Sequence, residues 1–109
     1  MFGLLKKPIG WGELEFVFKT SACSVYKLEP NAKSRAVAET IEKTLSHGGY
    51  RKSSEQNETL ATAYTVLDMS RELREAIKSC NLPSNEIDAR RFAELSDLLR
   101  KHMIFFGSP

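Results

Sequence analysis

Apolar side chains recur at helical spacing through most of the chain beyond residue 32, and this periodicity constrains the fold more than any other feature. In the first such segment Val37, Ile41 and Leu45 stand four residues apart, which places them on one face of a helix. Two consecutive glycines follow, and glycine readily adopts the left-handed conformation that ends many helices. The sequence therefore predicts a helix over 32–47.

A second helical pattern follows a polar stretch rich in turn-forming residues. Ser53 and Gln56 have the spacing of a capping box, in which the two side chains close the start of a helix. From this start the apolar periodicity continues without a proline or glycine to residue 79. The pattern predicts a flexible polar loop over 48–57 and a long helix over 54–79.

A third helical pattern fills the last quarter of the chain. Ser84 or Asn85 can cap its start, and the connection to the preceding helix is short. Short connections favour antiparallel neighbours, so helices 54–79 and 84–105 are predicted to form a long helical hairpin. The predicted inner stripe of the last helix consists of Phe92, Leu95, Leu99, His102 and Phe106.

The segment 13–28 fits two structures. As a helix it places Leu14, Phe18 and Ala22 on one face, and as a β-hairpin it places the same residues on one side of the strands. The strand-favouring residue types support the hairpin, whereas the intervening TSACS lacks the glycine, asparagine, aspartate or proline that tight turns require. The missing turn residues favour the helix.

These patterns predict one domain over 1–109 with a mainly α fold, a small helical bundle. The alternative is an α+β fold in which a β-hairpin over 13–28 packs on three helices. A chain of this length can bury a self-sufficient core. The predicted core consists of Phe18, Val25, Val37, Ile41, Leu45, Leu60, Leu67, Leu73, Ile77, Phe92, Leu95 and Leu99.

Aromatic side chains are concentrated at the two ends of the chain. Seven of the ten fall within the first 26 positions or the last five. Aromatic rings dominate the energetics of cores and interfaces, so these ends either meet in the core or form a surface for a partner. The residues predicted to bind a partner are Phe2, Trp11, Phe16, Phe105 and Phe106.

Residues that could carry catalysis or bind a metal do not form a recognisable motif. Two cysteines and two histidines (Cys23, His47, Cys80 and His102) lie more than twenty residues apart, whereas structural zinc sites pair their ligands two to five residues apart. The motifs of metalloproteases, serine hydrolases and nucleotide-binding proteins are not found. No catalytic, cofactor-binding or metal-binding residue is predicted, and no cofactor; the chain is predicted not to be an enzyme.

Basic side chains give an alternative function. Arg90, Arg91 and Arg100 lie in the last predicted helix and could contact a nucleic acid. Four acidic residues of the same helix would repel phosphate, and the net charge is only +2. A nucleic-acid-binding helical regulator is therefore the less favoured alternative. Membrane contact through residues 1–12 is also disfavoured, because Pro8, Gly10 and Gly12 interrupt any continuous amphipathic helix there.

The remaining class is recognition of another protein. Two cysteines cannot form a disulfide scaffold, and no signal peptide or membrane-spanning run is apparent, so a cytoplasmic location is expected. The chain is predicted to be a non-enzymatic interaction module that buries an aromatic surface formed from its ends. A small adaptor, a regulatory subunit or an immunity or antitoxin-like partner fits this description, with a protein partner, a second copy in a homodimer, or both.

Overall fold

A computed structural model describes residues 5–107 and confirms the mainly α fold. Within this range the chain forms five helices and one short parallel sheet of two strands. No helix of residues 5–107 has the length and apolar character needed to cross a membrane. In chain order the elements are β1 (Lys7–Pro8), α1 (Trp11–Leu28), α2 (Ser34–Gly48), β2 (Tyr50–Arg51), α3 (Ser54–Met69), α4 (Arg71–Ser79) and α5 (Glu86–Lys101).

The segment 13–28 lies within a single helix, so the β-hairpin alternative is wrong. Helix α1 buries Leu14, Phe18, Ala22 and Tyr26 completely, and this spacing of four residues keeps them on one face. That face packs against α2 and α4. Helix α1 therefore contributes its apolar face to the centre of the bundle.

The prediction of one long helix over 54–79 is wrong, because the segment forms two helices that meet at Ser70. The Ser70 backbone is extended, its N–H ends α3 by bonding the Val66 carbonyl oxygen, and its Oγ accepts the N–H of Leu73 at the start of α4. Helix α3 packs on α2, whereas α4 packs on α1. The predicted hairpin is consequently formed by the short helix α4 with α5.

The polar segment 48–57, predicted as a flexible loop, contains a short strand and the start of a helix. Strand β2 lies inside it and pairs in parallel with β1, with the Lys7 N–H on the Gly49 carbonyl oxygen at 2.8 Å. Helix α3 begins at Ser54, where the predicted capping box of Ser53 and Gln56 is confirmed. Gln56 is buried, and its Nε2 donates to the Ile9 carbonyl oxygen at 2.7 Å.

One hydrophobic cluster joins side chains from all five helices. Eleven of the twelve predicted core residues are buried; the exception is Val25, which is half-buried at the edge of the cluster.

Asp68 of α3 links α3 to α2 by hydrogen bonds, because its carboxylate accepts the backbone N–H and the hydroxyl of Ser34 at the start of α2. Partial burial acts to raise the pKa of Asp68, but these hydrogen bonds and the charges of Lys33 and Arg74 outweigh it and lower the pKa.

Candidate partner-binding site

Helix α5 ends at Lys101 rather than at 105, and the chain then turns sharply. The Ile104 N–H bonds the Leu99 carbonyl oxygen at 2.8 Å, and the Met103 N–H bonds the Arg100 carbonyl oxygen at 2.9 Å. These two bonds define a Schellman motif, whose central residue takes the left-handed conformation. Ile104 is buried, so the turn is anchored to the core on one side.

Met103 occupies the left-handed position, where glycine is usual. Its φ is +63°, and within residues 5–107 it is the only residue other than glycine with a positive φ. A side chain in this conformation costs about 1–2 kcal/mol because its Cβ crowds the following carbonyl oxygen. The Met103 side chain is 74% exposed, so burial does not offset this cost. Strained residues of this kind cluster at binding sites.

The turn brings the last described residues against the start of α1. Gly107 lies so close to the start of α1 that a Cβ at position 107 would stand 3.3 Å from the Cβ of Trp11. A groove of about 400 Å³ opens beside this contact, between the segment after α5 and the first two turns of α3. We call it the Trp11 groove; its lining residues are Trp11, Glu55, Glu58, Thr59, Thr62, Met103, Ile104, Phe105 and Gly107.

The aromatic residues predicted to bind a partner fall into three groups. Trp11 and Phe105 both line the Trp11 groove, and Phe105 remains 50% exposed. Phe106 is half-buried and packs on Phe18 of α1 with the ring centroids 5.2 Å apart, so it belongs to the core edge. Phe16 is exposed away from the groove lining, with its ring 5.5 Å from that of Phe92 on α5. Phe2 lies outside the described residues.

The sequence pattern predicts neither the α3 side of the groove nor Met103 as part of a binding site. Glu55, Glu58, Thr59 and Thr62 have the spacing of one helix face, but a polar face reads as ordinary solvated surface. Only the turn after α5, which sets an aromatic rim opposite these residues, distinguishes this face from the others of the bundle.

The Trp11 groove is acidic as well as apolar. Glu55 and Glu58 line it, no lysine or arginine of residues 5–107 does, and neither glutamate forms an ion pair with another described residue. The basic residues that end α5 are engaged elsewhere, Arg100 with Asp97 and Lys101 with Glu72. The groove therefore presents two uncompensated negative charges beside aromatic surface.

Of the cysteines and histidines considered for metal binding or catalysis, the structure brings Cys23 and Cys80 into contact. Over residues 5–107 no three side chains of histidine, cysteine, aspartate or glutamate come close enough to hold a metal ion. The Cys23 thiol donates to the Cys80 carbonyl oxygen at 2.9 Å, while burial, and next the nearby Cys23, raises the pKa of the Cys80 thiol. A raised pKa keeps that thiol protonated and weakens it as a nucleophile.

The arginines of the nucleic-acid alternative are dispersed on α5. Arg90 and Arg91 are exposed near its start, and Arg100 near its end is paired with Asp97. Arg91 shares a shallow groove between α4 and α5 with Glu94. Acidic side chains thus accompany two of the three arginines, and acidic side chains repel phosphate.

The strain at Met103 gives a stability prediction. Met103→Gly is expected to raise the free energy of unfolding by about 0.5–1 kcal/mol, because glycine accepts a positive φ without a clash but loses more backbone entropy on folding. Met103→Ala keeps a Cβ, so its change is expected to stay within about 0.5 kcal/mol. Urea unfolding of the three proteins measures the difference. A glycine variant that is less stable than the alanine variant would show that the conformation is unstrained, because only the entropic cost of glycine would then remain.

The Trp11 groove thus combines an aromatic rim from both chain ends, a strained and exposed methionine, and two unpaired glutamates. No protein-family model, curated protein or solved structure was found to match this chain.

Proposed function

We propose that this chain is a non-enzymatic protein-interaction module that docks its partner in the Trp11 groove. The observation that carries the proposal is the convergence of Trp11, Met103 and Phe105 on one groove. Two of these side chains are at least half exposed although they are large and apolar, and exposed apolar surface of this kind marks interaction sites. A small adaptor, a regulatory subunit and an immunity or antitoxin-like partner are the roles that such a module fits.

The chemistry of the groove defines the segment that it would bind. Trp11 and Phe105 favour apolar side chains, since aromatic anchors supply most of the affinity at small interfaces. Glu55 and Glu58 favour lysine or arginine beside those apolar residues, because unpaired acidic groups steer a basic partner towards the site. The partner segment is therefore apolar and basic.

Both cysteines are free, which suits the reducing conditions of the cytoplasm, where we place this interaction.

Site-specific photocrosslinking in the cells of origin tests this function. A photoreactive phenylalanine analogue placed at position 105 is expected to crosslink the chain to a protein, because the Phe105 side chain lines the groove and half of its surface is open. The matched control carries the analogue at position 87, since Ile87 is an exposed apolar residue of α5 that does not line the groove.

The proposal requires a crosslinked band that forms from position 105 and not from position 87. Mass spectrometry of that band identifies the bound protein, including a second copy of this chain. The band should weaken when Glu55 and Glu58 are changed to lysine in the same chain. A chain that gives no band from position 105, or the same bands from both positions, would refute the proposed function.

A further inference from the structure

The chain itself carries a segment with the chemistry that the Trp11 groove selects. Leu5 is 94% exposed, and Lys6 and Lys7 beside it are exposed as well. Neither lysine forms an ion pair among residues 5–107. An apolar side chain followed by two free positive charges complements an aromatic groove with two free negative charges.

The fold turns this segment away from the groove of its own chain. Strands β1 and β2 are parallel, and the chain runs from Lys7, beside Gly49, to Ile9, beside Arg51 and Gln56. It then enters α1 at Trp11, at the rim of the groove. Leu5 and Lys6 precede Lys7, so they lie beyond the other end of the strand pair, towards the end of α2, where Lys6 lines a small pocket together with Leu45 and Ser46.

We infer that the segment Leu5–Lys7 of a second copy docks in the Trp11 groove. The chain thus forms a dimer by reciprocal exchange, in which each copy places this segment in the groove of the other while its own strand β1 stays in place. The inference rests on the proposed function of the groove and names its occupant. Leu5 of the second copy packs against Trp11 and Phe105. Its two lysines lie beside Glu55 and Glu58, with long side chains that can follow the surface of α3.

Two-fold symmetry follows from the reciprocity of the exchange. Each copy offers one segment and one groove, so a closed dimer satisfies both, and no segment or groove is left to recruit a third copy. The proposed lysine–glutamate pairs lie at a solvent-exposed rim, so salt weakens their attraction. The contribution from burying Leu5 is not screened by salt. Association is therefore expected to be concentration-dependent and stronger at low salt.

Charge reversal on the two sides of the contact tests the inference. Sedimentation of the purified wild-type chain over a concentration series is expected to show a monomer–dimer equilibrium. Lys6→Glu with Lys7→Glu, or Glu55→Lys with Glu58→Lys, is expected to raise the dissociation constant on the order of tenfold. Arg90→Glu with Arg91→Glu is the matched control, since it changes the net charge as much as the first pair at a site on α5 away from the groove.

Combining the two reversed proteins provides the decisive measurement. In a mixture, the acidic segment of one variant meets the basic groove of the other, and the basic segment meets the acidic groove, so both contacts are restored. A single chain that carries all four reversals is likewise expected to regain the wild-type dissociation constant. This recovery excludes misfolding, because every change is present in the protein that recovers. The Arg90→Glu, Arg91→Glu control excludes a general effect of net charge, because it shifts the net charge as far as the lysine reversals do.

Several results would overturn the inference. They are a wild-type chain that stays monomeric at all concentrations, assemblies that grow beyond the dimer, and a dimer that the reversals leave unchanged. A crosslink from position 105 to a different protein, together with a monomeric purified chain, would remove the exchange dimer and leave the proposed function standing. The absence of any crosslink from position 105 would remove the proposed function itself.

Discussion

Replacing Phe18 by alanine is expected to lower the free energy of unfolding by about 3–5 kcal/mol, the usual cost of deleting a fully buried aromatic side chain. Phe18 is completely buried on the inner face of α1, and its ring lies 5.2 Å from that of Phe106. Its removal leaves a cavity in the centre of the bundle and also removes the packing partner of the segment after α5. Urea unfolding followed by circular dichroism measures the loss.

A matched substitution on the same helix separates burial from helix propensity. Phe16 is half exposed, so Phe16→Ala is expected to cost about 1 kcal/mol. If Phe18→Ala does not fold, Phe18→Leu retains most of the volume and should cost less than about 1.5 kcal/mol. Comparable losses for Phe16→Ala and Phe18→Ala would contradict the placement of the two rings.

A double-mutant cycle extends this prediction to the segment that forms the groove. Phe18→Ala, or Phe18→Leu, combined with Phe106→Ala should show a coupling energy of about 1 kcal/mol, since the two rings are in contact. Strictly additive losses would mean that Phe106 does not pack on α1. In that case the segment after α5 would not be held in the position that creates the Trp11 groove.

The ambiguity of the segment 13–28 has a specific physical origin. Leu14, Phe18, Ala22 and Tyr26 are four residues apart, and a spacing of four satisfies both the helical period and the two-residue period of a strand. The side chains that separate the two structures are Cys23 and Phe16. Cys23 is buried on the helical face although it has strand parity opposite to Phe18, and Phe16 is exposed although it has the same parity.

The break at Ser70 could have been predicted from the sequence, although the strength of the helical pattern obscured it. In a continuous helix Leu73 would lie about 120° around the axis from Leu67, because each residue turns the helix by about 100°. Both side chains are nevertheless completely buried. The interruption changes the direction of α4 relative to α3, so that both Leu67 and Leu73 reach the core. Serine caps helices well, so Ser70 is a suitable residue for this break.

The candidate site was only partly predictable for a different reason. Aromatic enrichment predicted Trp11, Phe105 and Phe106 alike as partner-binding residues. Trp11 and Phe105 line the groove, whereas Phe106 packs on Phe18 at the edge of the core. The Schellman turn that separates these neighbours has methionine at a position where glycine is expected, so composition gave no sign of it. A backbone that departs from local preference is determined by tertiary contacts, here the burial of Ile104.

Lys19 and Glu15 of α1 form an ion pair in which the lysine is more deeply buried than the glutamate. Its side chain is 7% exposed, whereas that of its partner Glu15 is 24% exposed, with Nζ and Oε2 3.3 Å apart. The Lys19 ammonium group also donates to the Ser96 hydroxyl at 3.0 Å and lies 4.7 Å from the centroid of the Phe92 ring. The Ser96 hydroxyl in turn donates to Glu15 at 2.7 Å, which ties α1 to α5.

Glu15→Gln is expected to lower the free energy of unfolding by about 2–3 kcal/mol, because it leaves the Lys19 ammonium group buried without a counter-charge. Lys19→Met is expected to cost no more than about 1 kcal/mol. It fills the same space with apolar atoms, and the remaining Glu15 carboxylate is partly solvated and still hydrogen-bonded to Ser96. Removing the acid should therefore cost more than removing the base.

The double variant with both changes provides the control for this asymmetry. If the loss in Glu15→Gln comes from an unpaired buried charge, adding Lys19→Met removes that charge and should recover most of the lost stability, even though two residues are now altered. Urea unfolding of the four proteins at neutral pH measures the cycle. A double variant at least as unstable as Glu15→Gln would show that the cost comes from lost packing or hydrogen bonds of Glu15, and that water reaches the Lys19 ammonium group.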